Sequence, residues 1–484
     1  MEMCLTELAP QEDLPEIRFR GISLDSRKIN EGDLFICLSG SEYDGRDFIN
    51  EAMSKGAVAV ISEKPCEAEV ASDVPVFKVS NLRERVGEYA SRFYRKPSAE
   101  MEIIAVTGTN GKTTVTHILA ELASSMRFRC GLIGSRGYGE IETLSDAELT
   151  TPDAVSLQRI LRELLDVGCG YVFMEASSHG IDQDRLSGTE VDIAVLTNIT
   201  QDHLDYHDSM ETYRCTKARL FAMKSVNRAV INLDDGFAHD LLKRLPSSVD
   251  IRTYSRVSSA DVYLLSSDFH EEGMLLEISC AGFVFSADIP LFGNFNVENI
   301  LAVVATLNSM GWDGKDISKA MEHVSCVSGR MELISAEDKP LVFLDYAHTP
   351  DGLKQALAAI RQHYKNRKLI CLFGCGGDRD ISKRSVMGKI ASDIADEIIL
   401  TNDNPRQEDP ETIIRDIASG ILGDYRSELD RSKAIHRTIS EAAQEDVILI
   451  AGKGREAFQE ISSKKIPYED FKVISRALGG LEDV

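Results

Sequence analysis

The residues with the most chemistry in them are 107–114, TGTNGKTT. They follow an apolar run, 103–106, and precede a stretch in which Val115, Ile118, Leu119, Leu122 and Met126 recur at helical spacing. A glycine-rich turn between a strand and a helix N-terminus points backbone N–H groups toward one spot, which suits a phosphate. On this reading Gly108, Thr109, Asn110 and Gly111 form the cradle, Lys112 reaches the β and γ oxygens, Thr113 offers a hydroxyl to Mg²⁺ and Thr114 closes the loop. The spacing departs from the strict G-x-x-x-x-G-K-[ST] pattern, because Val106 stands five before Gly111 and the first glycine is Gly108. A bare Gly-Lys-Thr triplet is also an ordinary strand-to-helix turn. The flanking strand and helix favour nucleotide phosphate.

Downstream, the run 171–176 carries Glu175 and is followed by Ser177, Ser178 and His179; the run 192–199 leads into His203. A carboxylate and an imidazole near a triphosphate suit Mg²⁺, which takes one or two protein groups beside phosphate oxygens. His203 and His207 have the spacing of a zinc pair, but Leu204 stands where H-E-x-x-H needs glutamate and no third ligand follows. Lys217, in YRCTKARLF, reads on its own as a solvated helix lysine.

These side chains need elements that bring them to one edge. Apolar runs at 103–106, 171–176, 192–199 and 228–235 alternate with helical stretches, and the alternation resumes after Gly329 with 341–347, 368–374, 397–403 and 446–452. That pattern specifies an α/β chain with parallel sheets, whose ligands bind at the carboxyl ends of the strands. Shorter β-like runs, 33–38 and 57–61, precede a linker near Pro97. Three domains are expected: 1–97, 98–330 as a P-loop-type α/β ATPase domain, and 331–484 as a doubly wound Rossmann-like domain.

With 43% apolar and 27% charged residues among 484, the chain has the composition of a folded protein. A net charge of −24 disfavours nucleic acid and anionic membranes as partners, though a cleft with its own cations can still hold a small anion. Ten cysteines without a Cys-x-x-Cys pair indicate neither a zinc ribbon nor a disulfide framework, but inert thiols in a reducing compartment. The acidic N-terminus and the lack of an apolar run of about 18 residues place the expected protein in the cytoplasm; a monomer is expected.

TGTNGKTT, MEASSH, NITQDHLDYH, YRCTKARLF, FGNFNVENILA, SGRME, DYAHTPD, FGCGGDRD, TNDNPR and AGKG occur in one order between Thr107 and Gly454. In these motifs the chain resembles the Mur ligases, most closely the branch that adds meso-2,6-diaminopimelate. The resemblance implies an ATP-dependent, ADP-forming ligase of peptidoglycan precursor synthesis. It would phosphorylate the D-glutamyl carboxylate of UDP-N-acetylmuramoyl-L-alanyl-D-glutamate and let the diamino acid's amine displace phosphate. It further implies that Glu175 and His203 bind Mg²⁺, and that Lys217 is carbamylated by CO₂ and binds a second Mg²⁺. Asn296 and Asn299 would contact adenine, and Arg330 and Asp345 the nucleotide, with His348 nearby. Ser26 would contact the uridine side, and Thr150, Thr151, Ser177, Gln183 and Arg185 the sugar and dipeptide; Thr-Thr-Pro is equally a good turn sequence.

DNPR, residues 403–406, is the version the family uses for diaminopimelate, so the resemblance makes Asp403, Asn404 and Arg406 acceptor contacts together with Arg384, Gly452 and Glu456. Diaminopimelate has a carboxylate that lysine lacks, and an arginine fork could bind it through paired N–H donors. Glu456 would take the distal ammonium. Arg455 stands after AGKG where relatives usually carry histidine, and Ser385 where proline is usual. A lysine-adding ligase of the same family and a folylpolyglutamate-synthase-like ligase are the alternatives. A dinucleotide-binding reading of the Gly374–Gly376 segment fails because Arg379 occupies the position of the last glycine.

Overall fold

The computed structural model describes residues 1–40, 44–64, 74–202, 204–462 and 464–480. They form two compact units, 1–199 with 208–253 and 200–207 with 254–484.

After a short antiparallel pair, Met3–Cys4 with Arg18–Phe19, the first unit has a parallel sheet of β1 (Gly21–Ser23), β2 (Asp33–Cys37), β3 (Ala59–Ser62) and β4 (Val76–Lys78), arranged in chain order. Helix α1 (Leu82–Phe93) buries Leu82, Val86, Tyr89, Ala90 and Phe93 at helical spacing in the core that also holds Leu34, Ile36, Ala59 and Ile61. Gly87 lies on the same helix and meets the loop at Ser187 and Gly188: a Cβ at Gly87 would collide with the Ser187 carbonyl, and one at Gly188 with the Gly87 carbonyl. Gly87→Ala therefore has the opposite sign to a usual helix substitution, in which alanine gains about 1 kcal/mol over glycine. Thermal unfolding should show a lower midpoint; a midpoint at or above that of the parent protein would contradict this close packing.

The larger sheet of this unit contains β5 (Glu102–Thr107), β6 (Cys130–Gly134), β7 (Gly137–Glu140), β8 (Tyr171–Glu175), β9 (Ile193–Leu196) and β10 (Arg228–Asn232). Their order is β10-β9-β5-β8-β6-β7, all parallel except the β6–β7 hairpin. Helix α2 (Lys112–Ser125) follows β5, α3 (Ala154–Asp166) precedes β8 and α4 (Met210–Phe221) precedes β10. The parallel strands are buried on both faces, which is why they read as near-continuous apolar runs.

The second unit opens with a meander that the α/β reading did not include: β11 (Val262–His270), β12 (Gly273–Cys280) and β13 (Phe283–Ile289), antiparallel throughout. Helix α5 (Asn294–Ser309) follows. The last sheet comprises β14 (Glu332–Ile334), β15 (Leu341–Asp345), β16 (Leu369–Phe373), β17 (Glu397–Leu400), β18 (Arg426–Ser427) and β19 (Val447–Ala451), ordered β14-β15-β19-β16-β17-β18. Only β14 is antiparallel to its neighbour. Helices cover both faces, as expected. Leu353 and Leu357 from α6 (Pro350–His363) and Met387 from α7 (Ser382–Ile394) pack on one face; Ile435 and Ile439 from α8 (Arg431–Glu441) pack on the other. The hairpin β20 (Phe458–Ile461) and β21 (Lys464–Pro467) stands apart from this sheet, and α9 (Asp470–Ala477) follows.

Seven of the nine described cysteines are buried. Burial pushes the Cys375 thiol up to about 12, so it stays protonated and unreactive at neutral pH. Among the described residues no helix is long and apolar enough to cross a membrane.

Candidate active site

The phosphate loop leaves β5 and enters α2 through Gly111, whose φ of +86° favours glycine. Lys112, Thr113 and Thr114 precede the first intrahelical bond, from Val115 N–H to the Gly111 carbonyl, so their N–H groups lie outside the helix's own ladder. The loop is fastened to the end of β9. Asn198 accepts from Thr109 N (2.7 Å, backbone) and Asn110 N (3.0 Å, Oδ1), and Thr197 Oγ1 donates to the Asn110 carbonyl at 2.6 Å. The approach is so close that a Cβ at Gly108 would strike Thr197 Oγ1.

Glu175, at the end of β8, is 1% exposed. Its carboxylate accepts from Thr113 Oγ1 at 3.0 Å, Ser135 N at 2.8 Å and Ser135 Oγ at 3.0 Å. No lysine or arginine pairs with it among the described residues. A buried carboxylate hydrogen-bonded only to hydroxyls and one amide has no basic partner, and its surroundings are hard oxygen donors. Among the described residues no three His, Cys, Asp or Glu side chains cluster around a metal position, so Glu175 and Thr113 could hold a magnesium ion only together with phosphate oxygens. Ser135 is a member that the motif search passed over, because it follows an unremarkable apolar run; its place after a parallel strand was the available signal. His203 lies outside the described residues.

Lys217 departs from the solvated-lysine reading, for it is 1% exposed. Its Nζ donates to the Gly108 carbonyl at 2.9 Å and lies 4.6 Å from the centre of the Tyr213 ring. Lys112 Nζ donates to the same Gly108 carbonyl at 2.8 Å and to Thr109 O at 2.9 Å. Two ammonium groups thus share one acceptor.

Four of the residues expected at the sugar and dipeptide gather behind β8. Thr151 Oγ1 donates to the Glu175 carbonyl and meets Ser177 Oγ at 3.0 Å. Arg185 Nη1 donates to Thr151 O at 2.8 Å, and its Nη2 to Gln183 Oε1 at 2.7 Å. Thr151 is fully buried, so its hydroxyl acts here as a latch between two strand-end loops. Thr150 is half-buried beside it. Ser26 is not joined to this group; it opens a short helical turn, Ser26–Lys28, and donates to Glu51 of the helix Ile49–Ser54 at 2.6 Å.

In the second unit, Asn296 and Asn299 lie buried in the first turns of α5, where Asn299 Nδ2 donates to Asn296 Oδ1 at 2.9 Å. Arg330 stacks over Tyr346, 4.7 Å from the ring centre. Asp345 accepts from Met331 N and Ala347 N; burial raises its pKa while the Arg330 charge opposes that rise. His348 follows, its Nδ1 2.8 Å from the Tyr346 carbonyl.

The acceptor motif sits at the ends of β17 and β19. Strand β20 holds it residue by residue. Gln459 Nε2 donates to Asp403 O at 2.6 Å, Glu460 N to Asn404 Oδ1 at 2.8 Å, and Arg406 N to Glu460 O at 3.1 Å. Arg406 has φ +51°, an unfavourable region for a branched-free but bulky side chain that these bonds maintain. Its Nε donates to Glu460 at 3.1 Å and Nη1 to Gly377 O at 2.6 Å, while Nη2 makes no hydrogen bond among the described residues. Gly452 has φ +115° and lies against Asp403, where a Cβ would come within 2.6 Å of Oδ2. Glu456 accepts from Asn404 Nδ2 at 2.9 Å and pairs with the fully buried Lys453.

Arg384 differs from expectation. It is buried, and its guanidinium is committed to Glu408, Asp416 and the Gly376 carbonyl. In this conformation it braces the loop instead of presenting an open fork. Arg379, which the motif reading did not assign to the acceptor, lies in the same loop. It is exposed and has no ion pair among the described residues, and a Cβ at Gly376 would lie 2.9 Å from Arg406 Nη1 and 3.8 Å from Arg379 Cγ. Arg455 points elsewhere: it pairs with Glu332 at 2.6 Å and Glu469 at 3.2 Å, and covers the Phe471 ring.

Family models match in three consecutive stretches: the Mur ligase family catalytic domain over 18–94, the Mur ligase middle domain over 106–307, and the Mur ligase glutamate ligase domain over 329–454. The chain belongs to the Mur ligase family. It has the three-domain α/β architecture of a Mur ligase. A UDP-N-acetylmuramoyl-L-alanyl-D-glutamate–2,6-diaminopimelate ligase of Pseudomonas aeruginosa is 42% identical, with 100% of this chain and 99% of the relative aligned. The enzyme of that name from Coxiella burnetii is 40% identical, over 96% of each chain. A solved structure of a Mur ligase with the same name superposes with a TM-score of 0.72 at 38% identity, covering 99% of both chains.

Proposed function

We propose that this chain is an ATP-dependent ligase that joins meso-2,6-diaminopimelate to UDP-N-acetylmuramoyl-L-alanyl-D-glutamate, in the cytoplasm and as a monomer. The observation that carries this reading is end-to-end similarity, at 42% identity, to an enzyme named for that reaction. The domains are assigned as 1–97 for UDP, 98–330 for ATP and 331–484 for the diamino acid, in keeping with the spans of the three family models.

Within the ATP domain, the α2 N-terminus and Lys112 bind the β and γ phosphates, with Gly108 to Thr114 enclosing them. Thr113, Glu175, His203 and a carbamate on Lys217 would hold magnesium, which when bound neutralises phosphate charge. Two features support the carbamate. A carbamate keeps one N–H for the Gly108 carbonyl, and it replaces a cation that crowds Lys112 with an anion. Asn296, Asn299, Arg330 and Asp345 contact the nucleotide. Ser26, Thr150, Ser177, Gln183 and Arg185 serve the UDP-sugar peptide, with Thr151 as their buried support.

For the acceptor, Arg406 and Arg379 take the distal carboxylate, Arg384 holds their loop, and Asp403, Asn404, Gly452 and Glu456 surround the amino-acid end. Lysine has no second carboxylate to offer that pair of guanidinium groups. The test is phosphate release with meso-diaminopimelate, L-lysine or L-ornithine as acceptor. Release should require both the dipeptide nucleotide and diaminopimelate. Release without an acceptor, or a preference for lysine, would overturn the reading.

A further inference from the structure

We propose that Arg431 is a positioning residue for the acceptor: it sets the spacing of the two loops that bind the diamino acid by holding one backbone carbonyl of each. The proposal rests on the reading that these loops bind diaminopimelate.

Arg431 is the first residue of α8 and is 1% exposed. Its Nη1 donates to Asn402 O at 3.2 Å and its Nη2 to Ala451 O at 3.0 Å. These are the last carbonyls before Asp403 and Gly452, the first acceptor residues of either loop. Their strands are not neighbours, because β16 lies between β17 and β19 in the sheet. No ladder hydrogen bond can join them directly; the arginine fork does. The remaining donors are fixed by Asp470 at the start of α9, through Nε at 2.8 Å and Nη2 at 2.7 Å, and Tyr468 donates its hydroxyl to the same carboxylate at 2.7 Å.

Both members of the ion pair have side chains that are completely buried. Such a pair is weak evidence for stability, since apolar residues of similar volume often do as well. What apolar residues cannot do is bind two carbonyls from separate strand ends in a fixed relation. A bidentate, planar guanidinium can, and a lysine cannot reproduce the fork. The C-terminal helix thereby acts on acceptor binding although it supplies none of the residues assigned to the acceptor.

The experiment is steady-state kinetics of the full chain, parent and variants, with each substrate varied in turn. Arg431→Lys should raise KM for diaminopimelate about tenfold and narrow its advantage over lysine, with KM for ATP and for the dipeptide nucleotide within about twofold; small misplacements of binding groups have effects of at least this size. Tyr468→Phe, which loosens Asp470 without removing a charge, should move the same parameter by a smaller factor and decides the matter if Arg431→Lys does not fold. An unchanged KM for diaminopimelate in folded variants, or a parallel rise in all three KM values, would overturn the proposal. Failure of the parent protein to use diaminopimelate would instead overturn the functional reading.

Discussion

Lys217→Ala should lower the turnover of acceptor-dependent phosphate release about a hundredfold to a thousandfold, the range seen when one preorganised electrostatic group is lost from a reacting centre. Lys217 has almost no contact with solvent, and its Nζ shares the Gly108 carbonyl with Lys112. Two like charges a few ångströms apart repel by about 1 to 4 kcal/mol, depending on screening. That arrangement is awkward for two ammonium groups and natural for one ammonium and one anion. Lys217→Arg keeps the positive charge and should be as inactive as the alanine variant. The parent enzyme, stripped of CO₂, should lose activity and regain it on adding bicarbonate, while neither variant responds. Full turnover in Lys217→Ala would remove the lysine from the reaction, and activity indifferent to bicarbonate would remove the carbamate.

Arg406→Ala should abolish most of the discrimination between diaminopimelate and lysine. Charged hydrogen bonds contribute about 1.5 to 3 kcal/mol each, so losing this guanidinium should reduce the ratio of kcat/KM values for the two acceptors about tenfold to a hundredfold. The change should come mainly from diaminopimelate, because lysine has no second carboxylate. Competition between the acceptors at equal concentration, read by mass of the products, measures the ratio directly. An undiminished preference would transfer the role to Arg379, whose Cγ lies near Gly376.

The parallel strands were legible because burial on both faces leaves an apolar run that stops where the chain turns polar. The run 33–38 is observed as Asp33–Cys37 and 368–374 as Leu369–Phe373. The run 397–403 ends sooner, at Leu400, because Thr401 to Asp403 already belong to the loop. The meander of β11 to β13 was passed over since β11 is mostly half-buried or exposed and β13 alternates between buried and exposed positions, so neither is a continuous buried run. Its turn at Ala281 and Gly282, both with positive φ, was the signal to use. Residue types and order also picked out, as candidates, the turn between β5 and α2 and the DNPR segment after β17. They could not tell Arg384 from Arg379, because the partners that occupy Arg384, Glu408 and Asp416, are 24 and 32 residues away. The burial of Lys217 was equally hidden: helix α4 is only weakly two-sided in sequence, and its lysine faces inward toward a loop a hundred residues earlier.

The buried carboxylate of Glu175 has a consequence for how the molecule holds together. A buried carboxylate that has dipoles but no basic partner around it costs the native form some stability. A divalent cation held there, as proposed, would bind the native form and hardly the unfolded chain, and mass action would then couple occupancy to resistance against melting. On that proposal the ion of the reaction would also be a folding ligand, and the enzyme would be sturdiest when it is ready to work.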